Sequence, residues 1–471
     1  MVHSANQHQQ EKGPSMKRSK ADVVFHRQSL PELRFEEQQL TSFAGLVVLQ
    51  ALLRRLDLRA RLRGCFKPSG GRAFAPHVIF LWLIVHLFIG YRRLRDRDFY
   101  HDDPVVKRTV GLKCLPDVAT ISRSLREADA FCVERVRQLS VDLVLERIAQ
   151  EKLPRVTIDF DGSAQSTQGH LEGTAVGYNK QKKGRRSYYP LFATVAQTQQ
   201  FLDLLHRPGN VHDSRGARNF MQGCFETVRA ACPGVQLEAR MDGAFFGQKI
   251  LFALDAPGVE FTASVPFERL VALKGIVEGR KRWRRLDETW SFFEMIWKPK
   301  SWDRCMRFVF LRQRTARQQK GPLQLDLFTP RDDTHQYTVI VTNKTVSAPR
   351  VARFHHGRGS QEGIFADGKS SAQLDYLPVR TLHGNQLYTL GAMIAHNLAR
   401  EIQMSAYERE RGATQKRAPH WQFESLRRLR QRLIQRAGRL TRPGGKLTLT
   451  MNANETLRDE LTHLLDTQIA A

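Results

Sequence analysis

The feature that most narrows what this chain can fold into is a change of period at Pro154. Before it, apolar residues recur at helical spacing; after it, short runs alternate as strands do. Leu46, Leu49, Leu53 and Leu56 mark a helix within Leu40–Leu58. Val78–Arg93 reads as a buried helix leading into the basic run Arg92-Arg93-Leu94-Arg95, and Pro116–Arg123 opens another helix behind a turn and a polar cap. Beyond Pro154, Val156-Thr157-Ile158-Asp159-Phe160-Asp161 alternates apolar and polar, and runs at Tyr188–Ala196 and Gln200–His206 follow at hairpin distance. A helix over Ser214–Ala231 is stopped by Pro233-Gly234. A strand (Gln236–Asp242), a helix (Gly247–Leu254) and a strand (Glu260–Val265) complete an α/β order.

Residues 266–336 interrupt that order. They hold Trp283, Trp290, Trp297 and Trp302 among many basic residues and end in a polar stretch, Arg312–Asp333, which predicts a mainly β insertion. Strand character returns at Tyr337–Thr342, and Glu362–Arg400 reads as largely helical. The expected organisation is a disordered basic arm (1–30), a helical domain (31–150), a core in two parts (151–265 and 337–404) around the insertion (266–336), and a basic C-terminal region (405–471).

Charge limits the partners. The 471 residues carry a formal net charge of +27, an excess that repels itself unless an anionic partner compensates. A membrane partner is not expected, because the longest apolar run, Val78–Gly90, contains His86 and is too short to span a bilayer. Nucleic acid is the expected partner. The six cysteines form no CxxC pair, which fits neither a zinc site nor a disulfide framework. With no apolar leader core around Met1–Gln10, a cytoplasmic, nucleoid-associated protein is expected.

Two acids share one setting. Asp161-Gly162 and Asp242-Gly243 each place a carboxylate at the C-terminal end of a strand, followed by glycine. Ligands gather at such strand ends, and hard carboxylate oxygens suit Mg²⁺ while leaving room for water and phosphate. Each acid alone reads more readily as a helix or turn cap than as a ligand. A third element adds weight. Arg358, Glu362 and Lys369 stand at spacings of four and seven, so one helix face offers an acid and two cations. A solvated Arg–Glu pair is the plain alternative for that face.

Taken in order, these motifs resemble the cut-and-paste insertion-sequence transposases of the DDE class, whose signature is Tyr-x₂-Arg-x₃-Glu-x₆-Lys. Arg358, Glu362 and Lys369 match its spacing, and His355 stands where that family has tyrosine. Asp161-Gly162-Ser163 resembles the family's first acidic motif and Arg240-Met241-Asp242-Gly243-Ala244-Phe245 its second. Arg207-Pro208-Gly209-Asn210-Val211-His212 resembles a loop found between them. The likeness spans roughly residues 40–440. It implies a ribonuclease-H-like catalytic core with a β insertion and a helical N-terminal DNA-binding domain. It also implies Asp161, Asp242 and Glu362 as catalytic metal ligands for two Mg²⁺ or Mn²⁺ ions, and phosphate contacts from Arg358, Lys369 and His355. The implied reaction is DNA cleavage and strand transfer at an element's inverted repeats, by a homodimer holding double-stranded transposon ends and target DNA.

Asp159 lies two residues before Asp161 on the same strand face, which makes it a supporting partner or a rival ligand. Lys180, Lys182, Lys183, Arg185 and Arg186, beside Tyr178, Tyr188 and Tyr189, suit phosphate contact with base stacking, or equally a solvated hairpin tip. Charge alone leaves the helical region open between a helix-turn-helix-like reader and a scaffold with a basic face. Beside the enzyme stands a catalytically inactive transposase-derived DNA-binding protein or repressor, which would not need the acids.

Overall fold

The computed structural model describes residues 30–68, 70–177, 179, 182–314, 335–412, 414 and 418–470. Residues 1–29, most of the expected arm, lie outside them, as do Tyr178 and Lys180 of the basic loop and residues 315–334 of the polar stretch. The chain divides into two compact units, Met1–Gln38 and Gln39–Ala471. In the first, the described residues 30–38 have no regular structure and are exposed.

The second unit opens with β1 (Leu40–Thr41) and six helices: α1 (Leu46–Arg55), α2 (Leu58–Arg63), α3 (Pro76–Phe88), α4 (Pro104–Val110), α5 (Val118–Arg126) and α6 (Ala130–Gln150). Their starts are written in the sequence. Asp103 accepts from the amides of Val105 and Val106 at 3.0 Å with Pro104 behind it, and Asp117 and Asp129 cap α5 and α6 through Thr120 and Cys132. Every residue of α3 from Val78 to Phe88 is buried, which explains its apolar run: it is a core helix, not a membrane span. No helix among the described residues is long and apolar enough to cross a membrane.

The strands follow as β2 (Arg155–Gly162), β3 (Gln165–Ser166), β4 (Ala175–Val176), β5 (Arg186–Tyr188), β6 (Leu191–Val195) and β7 (Gln200–Leu205). Next come α7 (Ala217–Ala231), β8 (Gln236–Met241), α8 (Gln248–Asp255), β9 (Glu260–Ser264) and α9 (Val271–Glu278). Then β10 (Arg284–Arg285), β11 (Trp290–Trp297), β12 (Met306–Arg314) and β13 (His335–Thr342) precede α10 (Ala348–His356), α11 (Gly359–Ser371) and α12 (Leu382–Ala406). Nine strands form one mixed sheet in the order β10-β11-β12-β13-β9-β8-β2-β6-β7. The central β2, β8 and β9 run parallel, and the remaining pairs are antiparallel. The strands of 266–336 therefore extend the main sheet, joined to β9 through β13.

Two cores flank this sheet. On one face, Phe160 of β2 meets Phe220 and Phe225 of α7 at 6.2 and 5.7 Å between ring centroids, with Ile250 and Leu251 of α8 in the same cluster. On the other, Phe192 of β6, Phe201 of β7 and Phe365 of α11 interlock and share a cluster with α12 and the N-terminal helices. Helix α12 is buried almost throughout and is the element on which α1, α3, α5, α6 and α11 converge. Each large apolar side chain removed from water there contributes about 1.5–3 kcal/mol. Beyond α12, the C-terminal region adds β14 (Gly438–Thr441), which pairs with β1, β15 (Thr448–Met451), which pairs with β14, and a helix over Glu455–Ala470.

Candidate active site at the strand ends

Alternation along β2 sends Ile158 and Phe160 into the α7 core and Asp159 and Asp161 to the opposite face. The two acids then meet different surroundings. Asp159 is fully buried and gripped by Arg240 of β8, whose Nε and Nη2 donate to its two carboxylate oxygens at 2.5 and 2.6 Å. Arg240 also donates to the Phe354 carbonyl at 3.3 Å, and Gln361 of α11 donates to the Asp159 carbonyl at 2.9 Å. Asp159 thus fastens β2, β8, α10 and α11 together.

Asp161, with a quarter of its side chain exposed, has no such clasp. One oxygen accepts from the Gly162 amide at 2.8 Å and the other lies 3.5 Å from Arg358 Nη1. Burial first, and then the negative charge of Asp242, push its carboxyl up to about 7, against the pull of Arg358. Asp242 follows the last residue of β8 and caps a short turn, accepting from the Ala244 amide at 3.0 Å. The two acids therefore stand close enough to oppose each other's ionisation, at the C-terminal ends of adjacent parallel strands.

Helices α10 and α11 bring the cations. His355, expected to contact DNA, is buried, and its ring nitrogens lie 3.0 Å from Thr262 Oγ1 and 2.9 Å from Ser264 Oγ, both on β9. Burial holds it neutral, at about 3. With both nitrogens engaged inside the protein, it fastens α10 to β9 rather than offering a donor to a ligand. Arg358 is the N-cap of α11, Glu362 is exposed in its first turn, and Lys369 is half-buried in its last. Burial lowers the Lys369 ammonium, while Asp375 and then Asp161 act to raise it. Among the described residues, no three Asp, Glu, His or Cys side chains are grouped so as to hold a metal ion. The structure brings Asp161, Asp242, Arg358 and Lys369 to one place and does not bring Glu362 into a ligand set with the two aspartates.

Lys182 and Arg185 lie exposed in the turn before β5. Tyr188, read beside them as a stacking surface, is fully buried with its hydroxyl donating to the Glu172 carbonyl, so it is core. Tyr189 faces the site instead. Its hydroxyl donates to Asp213 at 3.2 Å, and burial, followed by Asp213, Asp161 and Asp242, raises its ionisation well above the usual range. The Arg207 guanidinium donates to Asp213 Oδ1 and to the carbonyls of Tyr189, His212, Asp213 and Arg215, so the loop after β7 is wound around it. A β-carbon on Gly162 would lie 2.3 Å from Asp213 Oδ1 and 2.6 Å from the Tyr189 ring, so only glycine fits there. Asp213 escaped the sequence reading, and Tyr189 entered it only as a loop aromatic beside the basic run. The signal for Asp213 was the Arg207–His212 loop that it directly follows.

The site thus holds two carboxylates at adjacent parallel strand ends with an arginine and a lysine beside them. The sequence matches the family described as "Transposase DDE domain group 1" over residues 25–470, and the chain belongs to that family. It is a transposase of the DDE type. No curated protein matches it. Among solved structures it is similar to the piggyBac transposase synaptic complex with hairpin DNA, at 12% identity over 89% of this chain and 85% of that one, with a TM-score of 0.37. It is also similar to the Mos1 transposase paired-end complex with left transposon end, at 10% identity over 42% and 61%, with a TM-score of 0.18.

Proposed function

We propose that this protein is an insertion-sequence transposase that nicks DNA at the inverted repeats of its element and joins the freed ends to target DNA, with Asp161, Asp242 and Glu362 as its catalytic acids. The observation that carries this reading is the electrostatic opposition of Asp161 and Asp242. A carboxyl raised to about 7 by burial and by a second carboxylate is a donor set short of a cation. Hard oxygens of this kind suit Mg²⁺ or Mn²⁺. When bound, such ions supply a deprotonated water or hydroxyl and neutralise charge on the attacking and leaving oxygens of an in-line displacement. Glu362 is the proposed third ligand on the strength of its spacing from Arg358 and Lys369.

The chain's own residues divide the remaining work. In this reading Arg358, a planar fork at the N-cap of α11, grips a phosphate beside Asp161, and Lys369 adds a point charge from the last turn of the same helix. The run β7-β6-β2-β8-β9, with β2, β8 and β9 parallel and β6 and β7 antiparallel, supports a ribonuclease-H-like core. In this reading the helices of 31–150 and the exposed Lys182 and Arg185 touch DNA outside the cleavage point, and two copies hold two ends.

The test is Asp242→Asn, assayed for Mg²⁺-dependent nicking of supercoiled plasmid carrying the element and for plasmid binding in EDTA. Nicking is expected to fall by at least 10³-fold, with binding within about twofold of the parent. A variant that nicks at the parent rate refutes the assignment.

A further inference from the structure

The turn that follows α11 is built rigidly. Ala372 and Leu374 both donate to the Gly368 carbonyl, at 3.1 and 3.0 Å, and Tyr376 donates to the Gln373 carbonyl at 3.1 Å. Gln373 takes a left-handed conformation (φ +62°) that a non-glycine residue adopts at a cost. Leu374 is buried, and its carbonyl accepts from Gln165 at 2.7 Å. The residue this turn presents is Asp375. Its Oδ1 is buried without a hydrogen bond, and its nearest cation is Arg92 Nη2 at 3.4 Å.

Arg92 is 281 residues from Gln373 in sequence and reaches this turn from the loop after α3. Its backbone is anchored on both sides: its amide donates to Asp96 at 3.2 Å, and its carbonyl accepts from Tyr388 at 2.9 Å. The guanidinium lies over the Tyr376 ring at 5.1 Å and keeps 44% of its side chain exposed. Lys369, in the last turn of α11 and half-buried, makes no hydrogen bond or ion pair among the described residues, and Asp375 is the acid whose charge acts on it most strongly, ahead of Asp161. An arginine and a lysine on preset backbones thus share one poorly bonded carboxylate, beside the acid pair.

We propose that Arg92 and Lys369 form a single notch for a DNA backbone phosphate, and that Asp375 occupies the phosphate's place in the free protein. This deepens the proposed function and rests on it, because the notch lies where a strand running to Asp161 would pass. A phosphate offers both cations oxygens that Asp375 does not supply well, and binding it displaces a weak contact rather than a strong one. Asp375 is then a built-in competitor that lowers affinity for DNA. If Arg92 only fastened the turn, removing Asp375 would loosen the protein and leave DNA binding no tighter.

The experiment measures binding of a short fluorescent duplex of arbitrary sequence, in EDTA, across a salt series, for the parent, Asp375→Asn and Arg92→Gln, with Mg²⁺-dependent plasmid nicking by the same proteins. Asp375→Asn is expected to tighten binding about two- to fivefold. Arg92→Gln is expected to weaken it by a similar factor and to lower the log–log salt slope by about one. A Asp375→Asn protein that binds no tighter than the parent, or an Arg92→Gln protein with unchanged affinity and slope, overturns the proposal. If Asp375→Asn does not fold, the Arg92→Gln slope decides alone. A parent that never nicks, together with the expected binding shifts, would sink the metal chemistry and leave the notch standing.

Discussion

Asp161 should destabilise the metal-free protein, and the size of that effect follows from its surroundings. Its carboxyl is raised from 3.8 to about 7, roughly three units, at about 1.4 kcal/mol each. The folded state therefore holds a proton that the unfolded chain releases near pH 4. Stability falls as pH rises from about 4 to 7, and the full penalty of about 4 kcal/mol is in force above that. Asparagine has no ionised form and escapes it. The 3.5 Å contact to Arg358 is lost in Asp161→Asn, subtracting under about 1 kcal/mol because that pair is long and partly solvated. The net expectation is a gain of about 3 kcal/mol at pH 8, vanishing below about pH 4. For a chain of 471 residues, unfolding entropy near 1 kcal/mol/K converts this to a Tm about 3 °C higher. Scanning calorimetry in EDTA between about pH 5 and 8 measures it, and added Mg²⁺ should raise the parent's Tm more than the variant's. An Asp161→Asn protein that melts with the parent at pH 8, or whose difference ignores pH, refutes the reasoning.

The neighbouring acid should behave in the opposite sense. Asp159→Asn leaves the Arg240 guanidinium buried with half its partner gone, at a cost of about 3–5 kcal/mol, so its Tm should fall and nicking should fall in step with folded protein. A Tm equal to the parent's would mean the pair fastens nothing. Gly162→Ala drives a methyl group into Asp213 and Tyr189, for a loss of about 1–3 kcal/mol by calorimetry, and a neutral result would show that the loop after β7 yields freely.

Particular residues show what a sequence pattern conveys here and what it withholds. Alternation in β2 and β8 and the polar cap of α5 are local, so period and cap chemistry placed those strands and that helix start within a residue or two, while α4 and α6, though equally well capped by Asp103 and Asp129, were not singled out. Asp161, Asp242, Arg358 and Lys369 were legible for the same reason, each being tied to the end or the face of one element. The choice between Asp159 and Asp161 was not, because both point from the same face of β2 and only Arg240, on the next strand, separates them. Tyr188 looked like a loop aromatic because it adjoins five basic residues, yet its ring packs 4.4 Å from His206 across the sheet end. The insertion's strands were legible as strands. Their continuation of the main sheet was not, because the pairing of β9 with β13 is a backbone event that no side-chain period records. Likewise the apolar faces of α1, α3 and α5 announce burial without naming α12 as the surface they meet.

The distribution of paired charge gives the site its meaning. Elsewhere in the second unit, several buried acids are matched closely by cations. Glu401 bonds Arg55 and Arg147, Asp367 bonds Arg400, Asp203 bonds Arg137, and Glu238 bonds Lys344 and Arg155. A chain of net charge +27 has cations to spare for every carboxylate. It nonetheless sets Asp161 against Asp242 and gives it a single arginine at 3.5 Å. Folding alone would select against such a pair, since burying like charges together costs free energy that one lysine could recover. Where local rules agree throughout a structure, the place that breaks one is where function is to be sought. On the proposed reading, the penalty worked out for Asp161 is a measure of what binding a cation there would release, because its contact with Arg358, at 3.5 Å, is long where Asp159, two residues earlier on β2, is clasped by Arg240 at 2.5 Å.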